Sequence, residues 1–142
     1  MPVHFRGIDG DTYSVVEAQL AVEASITATS SATGDTCITT GAFSVENGGF
    51  YYVDVYSPYL TKGTTNLDVE LWDGATLVST LSGHMAASQA LPGGITSVRT
   101  RLAAGAHNLT VKAFVDGGTG KFGAGAGTTG APPNAWIRVR PA

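Results

Sequence analysis

The feature that most constrains this chain is a period of two in its apolar residues. In Asn66–Trp72, Leu67, Val69 and Leu71 fall on one side, with Asp68 and Glu70 on the other. Across His107–Val115, Leu109, Val111, Ala113 and Val115 oppose Asn108, Thr110 and Lys112. Gly49–Ser57 groups Tyr51, Val53 and Val55 against Phe50, Tyr52, Asp54 and Tyr56. Successive side chains of an extended strand point to opposite faces, so each run reads as a strand with one face buried. Between the runs stand turn signals: Asp9-Gly10, Gly34-Asp35, Asn47-Gly48-Gly49, Lys62-Gly63, Asp73-Gly74, Pro92-Gly93-Gly94, Gly105 and Asp116-Gly117-Gly118. Short strands broken by Gly and Asn at such intervals predict an all-β antiparallel sandwich.

The remaining stretches follow from the same rule. Val16–Ile26 is rich in helix formers, yet its even positions are apolar throughout, which predicts a strand. Met85–Leu91 could form one helical turn. In Gly117–Gly130 seven of 14 residues are glycine, which predicts a long flexible connection. Pro132-Pro133 then leads into a last strand, Ala135–Arg140. A length of 142 residues fits one hydrophobic core, and residues 13–142 are expected to form a single domain.

Composition removes several functions. A net charge of −3 with eight basic residues leaves no cationic footprint for nucleic acid. Arg99 with Arg101, and Arg138 with Arg140, are spaced to line one side of a strand, as solvated or salt-bridged faces. No apolar run reaches the ~20 residues of a membrane span. The start, Met-Pro-Val-His-Phe-Arg-Gly, lacks the apolar centre of a signal peptide, and one cysteine allows no internal disulfide. Both point to a cytoplasmic origin.

Motifs that suggest chemistry lack its other parts. Gly118-x-Gly120-x-x-Gly123 and Gly125-x-Gly127-x-x-Gly130 copy a dinucleotide pattern, but more glycine and two prolines follow where a helix would have to start. Asp9-Gly10-Asp11 reads as a turn, without the later ligands of a calcium loop. His4, His84 and His107 are too scattered for a metal, and no cofactor is implied. Cys37 has no basic neighbour to activate it and reads as a small apolar strand residue. Asp68 and Glu70 are the wet face of their strand rather than a glycosidase pair. No acid, base and cleft assemble, so an enzyme is not expected.

What stands out is aromatic. Phe50, Tyr52, Tyr56, Trp72, Phe114 and Trp136 all lie opposite the aliphatic side of their strands. Six outward aromatics are more than a monomer's wet face should carry, and subunit interfaces favour these residues. The alternative is that some strands bury their aromatic side. Only 13% of residues are charged, while there are 18 Thr and 10 Ser, so much of the surface relies on uncharged groups or is covered.

Three segments carry a family resemblance. Gly49-Phe50-Tyr51-Tyr52-Val53 resembles the aromatic strand of the jelly-roll domain shared by the tumour necrosis factor and C1q families. Leu102–Val111 resembles its turn and following strand, without the usual Asp after Gly105. Trp136-Ile137-Arg138-Val139 resembles its closing strand, which lies beside the first. The Thr/Gly/Ala-rich surface and glycine-rich late loop also resemble capsid decoration (cement), head-fibre and minor tail proteins of tailed bacteriophages. The resemblance implies a homotrimer, with the six aromatics as its candidate interface. It implies a virion protein assembled in a bacterial cytoplasm, whose partners are itself and the major capsid protein or other virion subunits. Residues 1–12 have no counterpart in the receptor-ligand modules. They would form an arm in which Pro2, Val3, His4, Phe5 and Arg6 contact the shell. The alternative is a phage tail or host-attachment module that stacks Tyr and Trp on cell-surface carbohydrate.

Overall fold

The computed structural model describes residues 15–64, 66–82, 91–125 and 133–142. The larger sheet runs β1 (Val16–Leu20), β12 (Ala135–Pro141), β5 (Gly49–Thr61), β11 (Gly120–Gly125) and β2 (Val22–Ile26). On the other side of β5 lies β8 (Leu91–Leu102). The smaller sheet is β3 (Asp35–Thr39), β10 (Leu109–Phe114), β6 (Asp68–Asp73) and β7 (Thr76–Ser82). A two-stranded piece pairs β4 (Phe43–Val45) with β9 (Gly105–His107). All pairings are antiparallel. This is the all-β sandwich that the alternation predicts, in keeping with a jelly roll.

The apolar sides meet between the sheets. Val53, Val55, Ile137 and Val139 come from the larger one, and Val69, Leu71, Leu109 and Val111 from the smaller. Each is essentially buried, and each such side chain contributes on the order of 1.5–3 kcal/mol of hydrophobic stabilisation. Burial alternates along β10 and along β12, so Thr110, Lys112, Trp136 and Arg138 point away from the core. The closing strand β12 lies beside β1, with Val16 opposite Val139 and Leu20 opposite Ala135. Cys37 is buried in β3, and burial, aided by the charge of Asp35, pushes its thiol well above the usual range.

Four expectations are corrected. The glycine stretch is not one connection, because Gly120–Gly125 forms β11 between β5 and β2. Glycine serves close approach there: a Cβ on Gly123 would collide with the Tyr59 ring, 2.6 Å away. Pro92-Gly93-Gly94 is not a turn but part of β8, which among the described residues pairs with β5 alone. An edge strand tolerates proline because one row of its backbone groups needs no partner strand. The strand predicted over Val16–Ile26 is two, broken at Ala21, since β1 pairs with β12 and β2 with β11. Glu70 is no part of a wet face: it is 6% exposed and accepts a 2.7 Å hydrogen bond from Ser31 Oγ. The helical turn at Met85–Leu91 falls outside the described residues except for Leu91, which starts β8.

Candidate functional site: an arginine and aromatic sheet face

The six outward aromatics form two patches rather than one. Phe50, Tyr52, Tyr56 and Trp136 lie on the outer face of the larger sheet, and Trp72 and Phe114 on that of the smaller. The arm residues Pro2, Val3, His4, Phe5 and Arg6 lie outside the described residues.

Register lays the larger face out in rows. Arg101 stands opposite Phe50; Arg99 opposite Tyr52, which faces Arg140 on its other side. The next row is Ser97, Asp54, Arg138 and Glu17, and the last is Ile95, Tyr56, Trp136 and Gln19. Rows two residues apart are roughly 7 Å from one another, so the four rows span about 20 Å.

Asp54 organises the centre. Its carboxylate, 1% exposed, accepts Arg138 Nε at 2.9 Å and Arg140 Nε at 2.7 Å on one oxygen. Ser97 Oγ donates to the other oxygen. Burial alone would raise the Asp54 pKa, but the hydrogen bonds from Arg140, Ser97 and Arg138 outweigh it and hold the carboxyl below the ordinary carboxylate value. The guanidiniums also cover rings: Arg99 Cζ lies 3.8 Å from the Phe50 centroid, Arg140 4.5 Å from Tyr52 and Arg138 4.9 Å from Trp136. Tyr56 and Trp136 stack at 5.7 Å and 23°. The result is a packed layer of alternating rings and cations. Phe50 is 44% exposed and Ile95 58%, so the layer is open to a partner.

Period-two spacing already placed both arginine pairs on strand faces, and the salt-bridged form holds for Arg138 and Arg140. Sequence reasoning missed Asp54 as their shared anchor. The available signal was a lone acid within an aromatic strand, facing a closing strand with two arginines at the same period.

On the smaller face Leu77, opposite Trp72, is 46% exposed. Lys112 Nζ sits 5.1 Å from the Trp72 ring, and Asn66 Nδ2 donates to Asp68 at 2.5 Å. Trp72 Nε1 is buried with no hydrogen-bond partner among the described residues. At the sheet's end His107 Nδ1 lies 2.6 Å from Asp73 Oδ2, and Nε2 lies 2.8 Å from the Ala103 carbonyl oxygen. Burial disfavours the protonated ring, but the Ala103 carbonyl and the Asp73 side chain favour it and, outweighing burial, raise the His107 pKa above its ordinary value.

A third cluster joins β2, β5 and β11. Glu23 accepts from Lys121 at 2.5 Å and from the Tyr59 hydroxyl. Burial and that carboxylate push Tyr59 up to about 12. Among the described residues, no three of His, Cys, Asp and Glu come together as metal ligands, and no helix is long and apolar enough to cross a membrane.

No protein-family model and no curated protein matches this chain. Among solved structures it is similar to a family 35 carbohydrate binding module from an environmental isolate. That match has 18% identity and TM-score 0.46, covering 84% of this chain and 66%, just under two thirds, of the other. The C-terminal CBM6 of the laminarinase LamC from Zobellia galactanivorans is 10% identical, with TM-score 0.47 and 91% of each chain covered. VP2 of the infectious bursal disease virus subviral particle is 11% identical with TM-score 0.37, covering 98% of this chain and 42% of that one. These likenesses lie at the level of the sandwich, and no site residue is carried over from them.

Proposed function

We propose that this chain is a non-catalytic subunit of a larger protein assembly that docks through the outer face of its larger sheet. The single observation behind this reading is the layer built by Phe50, Tyr52, Tyr56, Trp136 and the arginines around Asp54. Tyr, Trp and Arg are the residues that dominate protein interfaces, and here they are held in place before any partner arrives. In its particular form the reading is a decoration protein of a tailed-bacteriophage capsid, trimeric and carrying an arm in residues 1–12. The sequence resemblance and the low charge support that form.

A second reading, binding of a carbohydrate chain, is favoured by one end of the same face. There the stacked Tyr56–Trp136 pair lies near Arg138, Gln19 and Asn134, and Asn134 Nδ2 donates to Gln19 at 3.1 Å. Against it, guanidiniums already cover one face of the Phe50, Tyr52 and Trp136 rings, which leaves fewer ring faces for a sugar.

Reattachment of purified chain to source particles stripped of it tests the docking role. A Tyr56→Ser/Trp136→Ser variant with an unchanged circular dichroism spectrum should reattach at least about tenfold more weakly, since two large aromatic contacts are lost. Reattachment at the wild-type level would sink the docking role. Glycan-array binding lost in this variant, with normal reattachment, would establish the carbohydrate reading instead.

A further inference from the structure

We propose that the partner of this face is an acidic protein segment, whose carboxylates meet Arg99, Arg101 and Arg140 and whose apolar side chains meet Ile95, Tyr56 and Trp136. This rests on the docking role given to the same face above.

The first ground is where the charge sits. All four arginines among the described residues, Arg99, Arg101, Arg138 and Arg140, lie on this one face; Lys121 on β11 also faces out from the larger sheet but is paired with Glu23, whereas Lys112 lies on the smaller sheet. Against the arginines stand Asp54 and Glu17, and Lys121 is cancelled by Glu23, so the face has an excess of two positive charges in a chain whose net charge is −3. Such a patch on an otherwise acidic molecule attracts and orients an acidic partner.

The second ground is what the arginines still lack. Arg138 and Arg140 give their Nε groups to Asp54. Arg99 and Arg101 have no carboxylate within ion-pair distance among the described residues. Arg99 nevertheless has its Cζ 3.8 Å from the Phe50 ring centroid, which positions the guanidinium to meet a carboxylate. The rows grade from this cationic end to an apolar end at Ile95, Tyr56 and Trp136. A ligand must therefore offer both acid and apolar groups, as a protein segment does.

A second copy of this chain fits less well. Face against face, it would set arginines against arginines. Its smaller outer face offers acids already engaged, Glu70 by Ser31 and Asp68 by Asn66.

Fluorescence anisotropy with a labelled deca-glutamate peptide tests the inference on the full chain. Binding is expected in about 50 mM salt and should weaken several-fold by about 300 mM. Arg99→Gln/Arg101→Gln should weaken it about tenfold, the loss of two charge-assisted contacts. Lys112→Gln, which removes a charge from the other sheet, should leave it within about twofold. Equal losses in the two variants, or tighter binding of polygalacturonate or duplex DNA than of the peptide, would overturn the acidic protein partner. If Arg99→Gln/Arg101→Gln loses the peptide yet reattaches to particles normally, the acidic partner is wrong and docking stands. If Tyr56→Ser/Trp136→Ser reattaches normally, docking through this face falls, and the acidic partner with it.

Discussion

The two outer faces of the sandwich use the same materials and end in different states. Both set aromatics and charges at alternate positions, Phe50, Tyr52, Asp54 and Tyr56 on β5 and Asp68, Glu70 and Trp72 on β6. On the smaller sheet the chain closes over its own acids, with the 3-10 turn Ser31–Thr33 providing a hydroxyl to Glu70. On the larger sheet the acid is buried beneath its cations, and the rings and guanidiniums remain outermost. Outward aromatics by themselves therefore do not mark a binding face. What decides is whether their charged neighbours are closed by the same chain or left facing out.

The sharpest break of this contrast is removal of the central acid. Asp54→Asn removes the carboxylate shared by Arg138 and Arg140 and weakens the hydrogen bonds it accepts from them and from Ser97. Charge-assisted bonds contribute about 1.5–3 kcal/mol each, but both arginines are more than a third exposed and water replaces part of the loss. A net destabilisation of about 2–3 kcal/mol is expected in urea unfolding. Glu70→Gln keeps a carbonyl oxygen for Ser31 and should cost only about 1 kcal/mol. Equal costs would mean that Asp54 is no more central to its face than Glu70 is to the other.

How much of this was legible follows from the physics of each residue. Alternation needs only local sequence, and it correctly placed Val53, Val55, Leu109 and Val111 inside and the six aromatics outside. Pairing between distant strands has no local signal. Asp54 and Arg138 are 84 positions apart, and nothing in either strand says that β5 and β12 are neighbours. Glycine misleads for a different reason. Gly123 inside a strand, needed for the approach of Tyr59, looks in sequence like a turn glycine such as Gly118, whose φ is +69°. Glu70 was misassigned because alternation gives a face but not what covers it.

pH separates the two regions further. The Asp54 pKa is depressed in the fold, so its contribution is complete above the unfolded value near 4 and is lost as pH falls through the folded one. For His107 the sign is opposite. Burial lowers its pKa, but the hydrogen bond to the Ala103 carbonyl and the Asp73 carboxylate more than offset this and raise it. Its contribution is complete below the unfolded value near 6.5 and fades as pH rises through the folded value. The urea midpoint should thus fall at both ends of a pH series. Asp54→Asn should flatten the acid limb and His107→Gln the limb above about pH 6.5. A His107→Gln profile parallel to the wild type above that pH would show that the imidazolium does not hold β9 to the end of β6.

The smallest expected effect concerns the cation over each face's aromatic ring. Lys112 lies 5.1 Å from the Trp72 centroid and Arg99 3.8 Å from that of Phe50. A cation over an exposed ring is worth about 0.5–1 kcal/mol, and a planar guanidinium at short range gains more from the contact than an ammonium at long range. Double-mutant cycles with Lys112→Gln and Trp72→Phe, and with Arg99→Gln and Phe50→Leu, should therefore give couplings of about 0.3 and 0.8 kcal/mol. The difference matters because Arg99 is the cation available to a partner. Strong coupling means that the guanidinium is held against the ring before binding and loses little freedom on docking. A larger coupling for Lys112 would make the smaller face the better organised of the two, and would move the search for a partner to Trp72 and Phe114.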